Sequence, residues 1–377
     1  MFEFLKRKKQ DNQFLLKKAN DLYIKKKYAS ALEIYARILK NDSKNFPAIA
    51  NTATSYFELQ KYEQSIPFFR ETIVMDSSNP WWHNYLSQSL QKCGDFLGSL
   101  ECAWQAVLLG KDDNAHHMNL AYSIYETYDE LGRKEADTYL EKWYKSFPQN
   151  PIAEHCYKSF FYDEKYVGSR REYVEELFDF FASDFDKVLQ DLHYDSPKVI
   201  ADYLHKYFIQ KGKNNISILD LGCGSGLCGK YIKKKLKKSH LTGVDISSKM
   251  LQEAECKNVY DVLVKNDISD CFSGEKNLFD AVVLSDVLTY FGALEKLFEK
   301  VDSLLHKEGV FVFSISENKS NNMDYFLMPS SRFVHSKNYV DSLIKKYKFS
   351  IKISEKKILR KEGDKDVEGI IYLVEKK

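Results

Sequence analysis

The sequence predicts two structures in one chain: an all-α array of helical repeats, then an α/β domain on a mostly parallel sheet. Three observations carry this. Apolar residues in the first half recur at helical spacing, with almost no β-branched alternation. The same half repeats itself every 34 residues. From Ile216 the period changes, and short apolar runs alternate with amphipathic helices.

The repeat is explicit. Tyr28, Tyr62 and Phe96 stand 34 residues apart, as do Ala31, Ser65 and Ser99, while Asn45, Asn79 and Asp113 close each unit. The segments YASALEIYARIL, YEQSIPFFRETI and FLGSLECAWQAV each read as the second helix of a pair. Small residues at 31, 65 and 99 let paired helices approach, and a neighbouring ring fills the gap. A fourth unit, NLAYSIYETYDELGRKEADTYLEKWYKSFPQNP, is stretched by about three residues in its turn. This pattern resembles the tetratricopeptide repeat over residues 12–150. It departs in lacking the closing proline of the first three units; only Pro148 supplies one. Such units bury their apolar faces on one another and leave a concave groove. The resemblance implies docking of a protein partner or oligomerisation; a rigid cap that binds nothing is the alternative. Trp81, Trp82, His116 and His117 are either groove residues or packing between repeats. Two adjacent histidines without further ligands assign no metal.

Residues 151–215 read as a helical bridge. YVGSRREYVEELFDFFASDFDKVLQDLHYDSP predicts an amphipathic helix, a turn at Ser183 and a short helix ending before Pro197. Ser196 to Phe208 predicts a further helix.

Residues 216–377 form the α/β domain. The runs ISILDLG, HLTGVDI, VYDVLVKND, FDAVVLSD and GVFVFSIS are its strands. FSIKISEKKIL and VEGIIYLVEK predict a closing antiparallel hairpin, with its turn at Arg360–Asp364. The first strand runs into Gly222-Cys223-Gly224-Ser225-Gly226, where glycines allow positive φ and close approach of a bound molecule. Gly224 to Gly229 also satisfies GxGxxG, the dinucleotide fingerprint, so an NAD-dependent oxidoreductase competes on this motif alone. Asp220 argues against it: an acid there would face a pyrophosphate, whereas a sulfonium-bearing amino acid tolerates it. Asp245 ends the second strand, placed to accept from both ribose hydroxyls. Asp267 ends the third, placed for an adenine amine, with Ile268 against the ring.

A DLGCGSG loop with acids in or after three successive strands resembles class I S-adenosylmethionine-dependent methyltransferases across residues 216–316. The resemblance implies a Rossmann-like, seven-stranded, mostly parallel sheet and S-adenosylmethionine as cofactor. It implies that Gly222, Cys223, Gly224 and Gly226 cradle the cofactor. Asp245 with Ile246 would hold the ribose, and Asp267 the adenine. Ser285 and Asp286 fall where the family passes the methionine end towards substrate; Asp286 either binds there or caps the next helix. Cys223 and Cys228 read as small apolar filling.

Two further segments resemble a narrower family, methyltransferases that carry tetratricopeptide repeats. Phe185–Pro197 matches FDxxLxxLxYxxP, Ser331–Val340 matches GRYxHSxxYV with Ser331 for glycine and Phe333 for tyrosine, and Leu359–Gly369 matches LRxExGxxVxG. The first segment suits a lid, with Phe185 and Tyr194 either roofing the cofactor or packing between helices. Arg332 is placed to clamp a substrate carboxylate or phosphate. His335 is placed as a base for a protonated nucleophile, unless Ser336 merely caps the following helix. Tyr290 is a second catalytic candidate. Methyl transfer to a small-molecule or protein acceptor is the expected reaction; a cofactor-binding scaffold without transfer is the alternative.

Composition bounds the rest. Lys+Arg 56 against Asp+Glu 54 gives a net charge of +2, no global field for nucleic acid or anionic lipid. SDVLTYF after the fourth strand lacks the Pro-rich pattern of nucleic-acid methylation. The amino terminus lacks an apolar signal core, and no run approaches the roughly 18 apolar residues of a spanning helix. Seven scattered cysteines predict reduced thiols in the cytoplasm.

Overall fold

The structure is a computed structural model describing residues 2–161, 165–276, 278–319, 323–362 and 365–377, with side chains from residue 11 onward except at 362. The chain divides into two compact units, Met1–Glu154 and His155–Lys377. No helix among the described residues is long and apolar enough to cross a membrane.

The first unit is built from helix pairs: α1 (Phe2–Ile24) with α2 (Tyr28–Asn41), α3 (Phe46–Glu58) with α4 (Tyr62–Met75), α5 (Pro80–Lys92) with α6 (Phe96–Leu109), and α7 (Asn114–Leu131) with α8 (Arg133–Ser146). Helices α2, α4 and α6 begin 34 residues apart, and so do α3, α5 and α7. The closing Asn45, Asn79 and Asp113 are N-caps, each accepting a backbone N–H of the helix it starts. The longer α7 holds the three extra residues of the fourth unit. Ala31, Ser65 and Ser99 are buried. Ser65 Oγ donates to the Tyr62 carbonyl at 2.7 Å and lies 2.9 Å from Ser89 Oγ, and Ser99 Oγ lies 3.0 Å from Ser87 Oγ and 3.1 Å from Ser123 Oγ. A hydroxyl is thus tolerated where helices touch because backbone carbonyls and other small hydroxyls satisfy it.

The histidine pair is packing. His116 and His117 are buried, and His117 Nε2 donates to the Lys111 carbonyl at 2.9 Å. Its Nδ1 is then an acceptor, and Trp143 Nε1 donates to it at 2.9 Å. Trp82 Nε1 donates to Asp76 Oδ2, while Trp81 is 39% exposed and stands edge-on against His116.

Helix α9 (Pro151–Phe160) is followed by α10 (Arg171–Phe181), a 3-10 turn at Ala182–Asp184, α11 (Phe185–Asp191) and α12 (Ser196–Gln210). The α/β part then runs β1 (Ser217–Leu221), α13 (Leu227–Lys235), β2 (His240–Asp245), α14 (Ser248–Cys256), β3 (Val262–Lys265), β4 (Phe279–Leu284), α15 (Glu295–Leu304) and β5 (Leu305–Ser316). It closes with β6 (Tyr325–Leu327), β7 (Phe333–His335), α16 (Lys337–Lys346), β8 (Phe349–Glu362) and β9 (Lys365–Lys376). Seven strands form one sheet, ordered β3-β2-β1-β4-β5-β9-β8, parallel except for β9 against β5 and β8. Strand order reverses between β1 and β4, where an open α/β sheet leaves a ligand crevice at its carboxyl ends. Two apolar clusters cover the faces, one around Phe298, Phe311 and Phe313, the other around Ile200, Ile218 and Ile371. The β6–β7 hairpin was not expected from the sequence; strands of three residues carry too little pattern.

Trp143→Ala should cost about 3–5 kcal/mol, because it removes a fully buried indole and strands the His117 acceptor. Urea unfolding followed by helical circular dichroism checks this, and a cost below about 1 kcal/mol would contradict the packing described.

Candidate functional site

The cofactor loop is set by two strand ends. Gly222 and Cys223 donate their N–H groups to the Val244 carbonyl at 2.8 and 3.0 Å, which ties the end of β1 to the end of β2. Gly222 has φ +73°, and a Cβ there would lie 2.6 Å from Val287 Cγ2. Only glycine fits both constraints. Asp245 finishes the loop: its Oδ2 accepts Gly224 N at 2.8 Å and its Oδ1 accepts Ser247 N at 2.9 Å. Burial pushes this carboxyl above its ordinary range, and the backbone N–H bonds oppose that rise.

A cleft of about 200 Å³, partly open to solvent, lies over this loop. Its cofactor end is lined by Gly222, Cys223, Gly224, Asp245, Ile246, Asp267 and Ile268. It is lined further by Ser285, Asp286, Tyr290, Arg332 and Tyr194, with Phe185 close to Gly224. Thus the cleft gathers most of the residues singled out from sequence. Cys228 also borders it. Asp267 lies two residues beyond the end of β3, and its Oδ1 accepts Ser269 N at 2.7 Å.

Three residues stand elsewhere than expected, and one of the two readings of Asp286 is excluded. Asp220 does not line the cleft. Side chains alternate along a strand, so it shares the Ile218 face, where it accepts Tyr260 Oη at 2.8 Å. Full burial raises its pKa to about 7. Gly226 is also off the wall; at φ +87° it turns the chain into α13, close against Tyr260 and Ala254. Asp286 does not cap a helix. It adopts φ +58°, its N–H donates to Ser314 Oγ at 2.9 Å, and its carboxylate is held by two arginines. Arg360 Nη1 donates to Oδ1 and Oδ2 at 2.9 and 3.0 Å, and Arg332 Nη1 to Oδ2 at 3.2 Å.

His335 is the clearest correction. It lies on β7, fully buried, and its Nε2 donates to the carbonyls of Phe291 and Gly292 at 2.8 and 3.1 Å. Burial lowers its pKa to about 4, so it stays neutral in a packing role. The neighbouring Ser336 caps α16 by accepting Tyr339 N. Tyr290 does reach the cleft, with its ring edge-on to Phe178 at 5.3 Å.

The segment from α10 to Tyr194 is fastened by residues that the sequence does not single out. Asp186 accepts from Ser225 Oγ in the glycine loop and pairs with Lys257 at 2.8 Å. Asp179 accepts from Ser247 Oγ at 2.5 Å. Phe185 comes within 3.8 Å of where a Cβ on Gly224 would stand. Tyr194 Oη and Ser285 Oγ are 2.7 Å apart, and Lys361 N donates to the Leu192 carbonyl at 2.7 Å. Arg360 was expected in a turn; instead β8 extends to Glu362, and a register shift between Ile358 and Arg360 brings both Leu359 and Arg360 into the interior. Gly363 and Asp364 lie outside the described residues.

The residues present fit an adenosyl amino acid: a glycine cradle that a Cβ would fill, a buried acid at the end of β2, and an acid with an apolar neighbour after β3. The Asp245 carboxylate spends two of about four acceptor positions on the backbone, which leaves capacity for a diol. Gly222→Ala should destabilise the domain by at least about 1 kcal/mol from the left-handed backbone alone and also weaken nucleoside binding. Thermal unfolding with and without S-adenosylhomocysteine reads both effects. His335 makes stability pH-dependent: neutral when folded, it loses its contribution as pH falls from about 6.5 towards about 4. His335→Gln should flatten the fall in stability across that window, measured by urea midpoints.

Residues 219–313 match the methyltransferase-domain family. Comparison with curated proteins gives no match. Similar solved structures include magnesium protoporphyrin IX methyltransferase from Synechocystis PCC 6803 with bound SAH, at 14% identity over 55% of this chain and 100% of that one, TM-score 0.44. Another is an S-adenosylmethionine-dependent methyltransferase from Clostridium acetobutylicum ATCC 824, at 21% identity over 53% and 99%, TM-score 0.40. A third is 1,6-didemethyltoxoflavin-N1-methyltransferase from Burkholderia thailandensis, at 17% identity over 54% and 89%, TM-score 0.40. Likenesses this distant do not bear on substrate. The matched segment contains the glycine loop, Asp245, Asp267 and Asp286, and a methyltransferase domain implies S-adenosylmethionine as its cofactor.

Proposed function

We propose that this chain is an S-adenosylmethionine-dependent methyltransferase acting on a small-molecule acceptor, with a tetratricopeptide-like array at its amino terminus for docking or oligomerisation. One observation carries the reading. The glycine loop, Asp245 and Asp267 meet in a single cleft, within the segment that matches the methyltransferase-domain family. The 34-residue recurrence of helix starts supports the repeat assignment. Seven free thiols, four of them buried, support a reducing, cytoplasmic compartment.

When bound, the cofactor supplies a methyl group made electrophilic by its sulfonium. The chain's own residues hold and enclose. Asp245 would accept the ribose hydroxyls and Asp267 the adenine amine, with Ile246 and Ile268 against the rings. Phe185 and Tyr194 roof the cleft and exclude water, and Tyr194 is fixed by Ser285. His335, turned away from the cleft, takes no part in proton transfer. Catalysis then rests on aligning a competent nucleophile in a dry, preorganised cleft. The lid-like arrangement of α10 and α11 over the loop favours a small acceptor over a protein one.

Calorimetric titration with S-adenosylmethionine and S-adenosylhomocysteine tests this. Micromolar binding by the intact protein, lost in Asp245→Ala, is expected. Absence of binding by the folded protein would overturn the reading. Binding without transfer to any acceptor in cell extracts would instead favour a cofactor-binding scaffold.

A further inference from the structure

We propose that Tyr260 is a positioning residue for the glycine loop: its ring sits in a slot between three glycines, and its hydroxyl, tied to Asp220, keeps the loop in the shape that binds the adenosyl cofactor. This rests on the cleft being the cofactor site. Tyr260 stands between α14 and β3 and does not line the cleft, so it acts there only through the loop.

The slot joins three segments. A Cβ on Gly226 would lie 3.0 Å from Tyr260 Cε2, one on Gly229 2.5 Å from Cζ and Oη, and one on Gly243 2.9 Å from Cδ1 and Cε1. Gly226 ends the loop, Gly229 lies in the first turn of α13, and Gly243 lies inside β2. A methyl group at any of them would press on the ring. Two of these glycines belong to the GxGxxG spacing of Gly224 to Gly229, which therefore serves a tyrosine here. The next residue fastens the backbone of Tyr260. Asp261 N donates to Leu241 O at 2.8 Å, Leu241 N to Asp261 Oδ2 at 2.7 Å, and Lys233 Nζ to the same oxygen at 2.8 Å.

The hydroxyl end is where chemistry enters. Asp220 is fully buried; its Oδ2 accepts Tyr260 Oη at 2.8 Å, and its Oδ1 has no hydrogen-bond partner among the described residues. Burial lifts this carboxyl to about 7, and the Tyr260 hydroxyl opposes the rise. The other titratable groups facing it are Cys223 on the loop, Cys228 on α13 and Asp245 on β2. Burial keeps both thiols and the phenol protonated. Its strand partners, Gly243 and Val283, and the neighbouring Ile200 and Leu204 of α12 carry no charge. Ionisation makes the Tyr260–Asp220 bond charge-assisted, roughly twice as strong as a neutral one. The ring is then held more firmly as pH rises through about 7. Stability moves the other way: a carboxyl raised from 3.8 to about 7 on folding loses its contribution to stability as pH rises across that window. A purely structural pair would thus only weaken the protein over this range, whereas a positioning pair tightens cofactor binding over it.

The test is calorimetric titration of the full chain with S-adenosylhomocysteine at about pH 6 and about pH 8. Wild-type affinity should rise about three- to tenfold between them. Tyr260→Phe, which keeps the ring in its slot, should lose most of that rise, and so should Asp220→Asn. Amide exchange without ligand reads the loop itself. Gly222, Cys223 and Gly224, bonded to Val244 O and Asp245 Oδ2, should exchange at least about threefold faster in Tyr260→Phe than in wild type at about pH 8, with β5 and β9 unchanged. No rise in wild type, a rise that survives in Asp220→Asn, wild-type affinity in Tyr260→Phe at the higher pH, or faster exchange spread equally over the loop and β5–β9 would each overturn the proposal. Should Tyr260→Phe not fold, wild type and Asp220→Asn decide it by the pH step alone. If S-adenosylhomocysteine binds at neither pH, the methyltransferase reading falls, and the exchange comparison decides the role of Tyr260 at the loop separately.

Discussion

Asp245 joins what would otherwise be three independent pieces. Its carboxylate closes the glycine loop through Gly224 N and starts α14 through Ser247 N. Ser247, so placed, receives α10 through Asp179. One buried acid therefore fixes the loop, the helix after β2 and the anchoring point of α10. Burial works against its charge, and the N–H donors around it sustain that charge. A carboxylate that is preorganised in this way needs no rearrangement to accept hydroxyls, which is what a nucleoside site requires.

The second half of the cleft is built by a different device. Residues with left-handed backbone, Asp286 and Ser331, sit at the ends of segments that converge from β4 and the β6–β7 hairpin. Each is pinned by a buried polar partner, Ser314 and His155 respectively. The segment from α11 to Tyr194 is tied to both parts, through Asp186 on Ser225 and Tyr194 on Ser285. Its polar contacts thus fall on the glycine loop and on the residue that follows β4.

Much of this was legible in the sequence because it is periodic or glycine-dependent. The 34-residue spacing located the helix pairs, and the DLGCGSG segment located the loop, since few other residue patterns allow positive φ and close packing at once. Asp220 misled because β1 is buried on both faces, and its apolar run does not reveal which face a single acid takes. His335 misled for a related reason: position near the carboxyl ends of strands does not say whether an imidazole points into the cleft or under a hairpin. Arg360 was hidden by the turn signal of Gly363-Asp364 just beyond it and by a bulge that local pattern cannot display. Asp186 stood in view, inside Phe185–Pro197, but an acid on an amphipathic helix reads as solvated until its partner is known.

The measurement that bears most directly on the central claim is ultraviolet cross-linking of the protein to methyl-labelled S-adenosylmethionine, followed by peptide mapping. The structure predicts label on peptides containing Phe185, the Gly222–Gly226 loop or Tyr290, abolished by excess S-adenosylhomocysteine. Label confined to the helical repeats, or label that the competitor does not displace, would contradict the assignment of this cleft as the cofactor site.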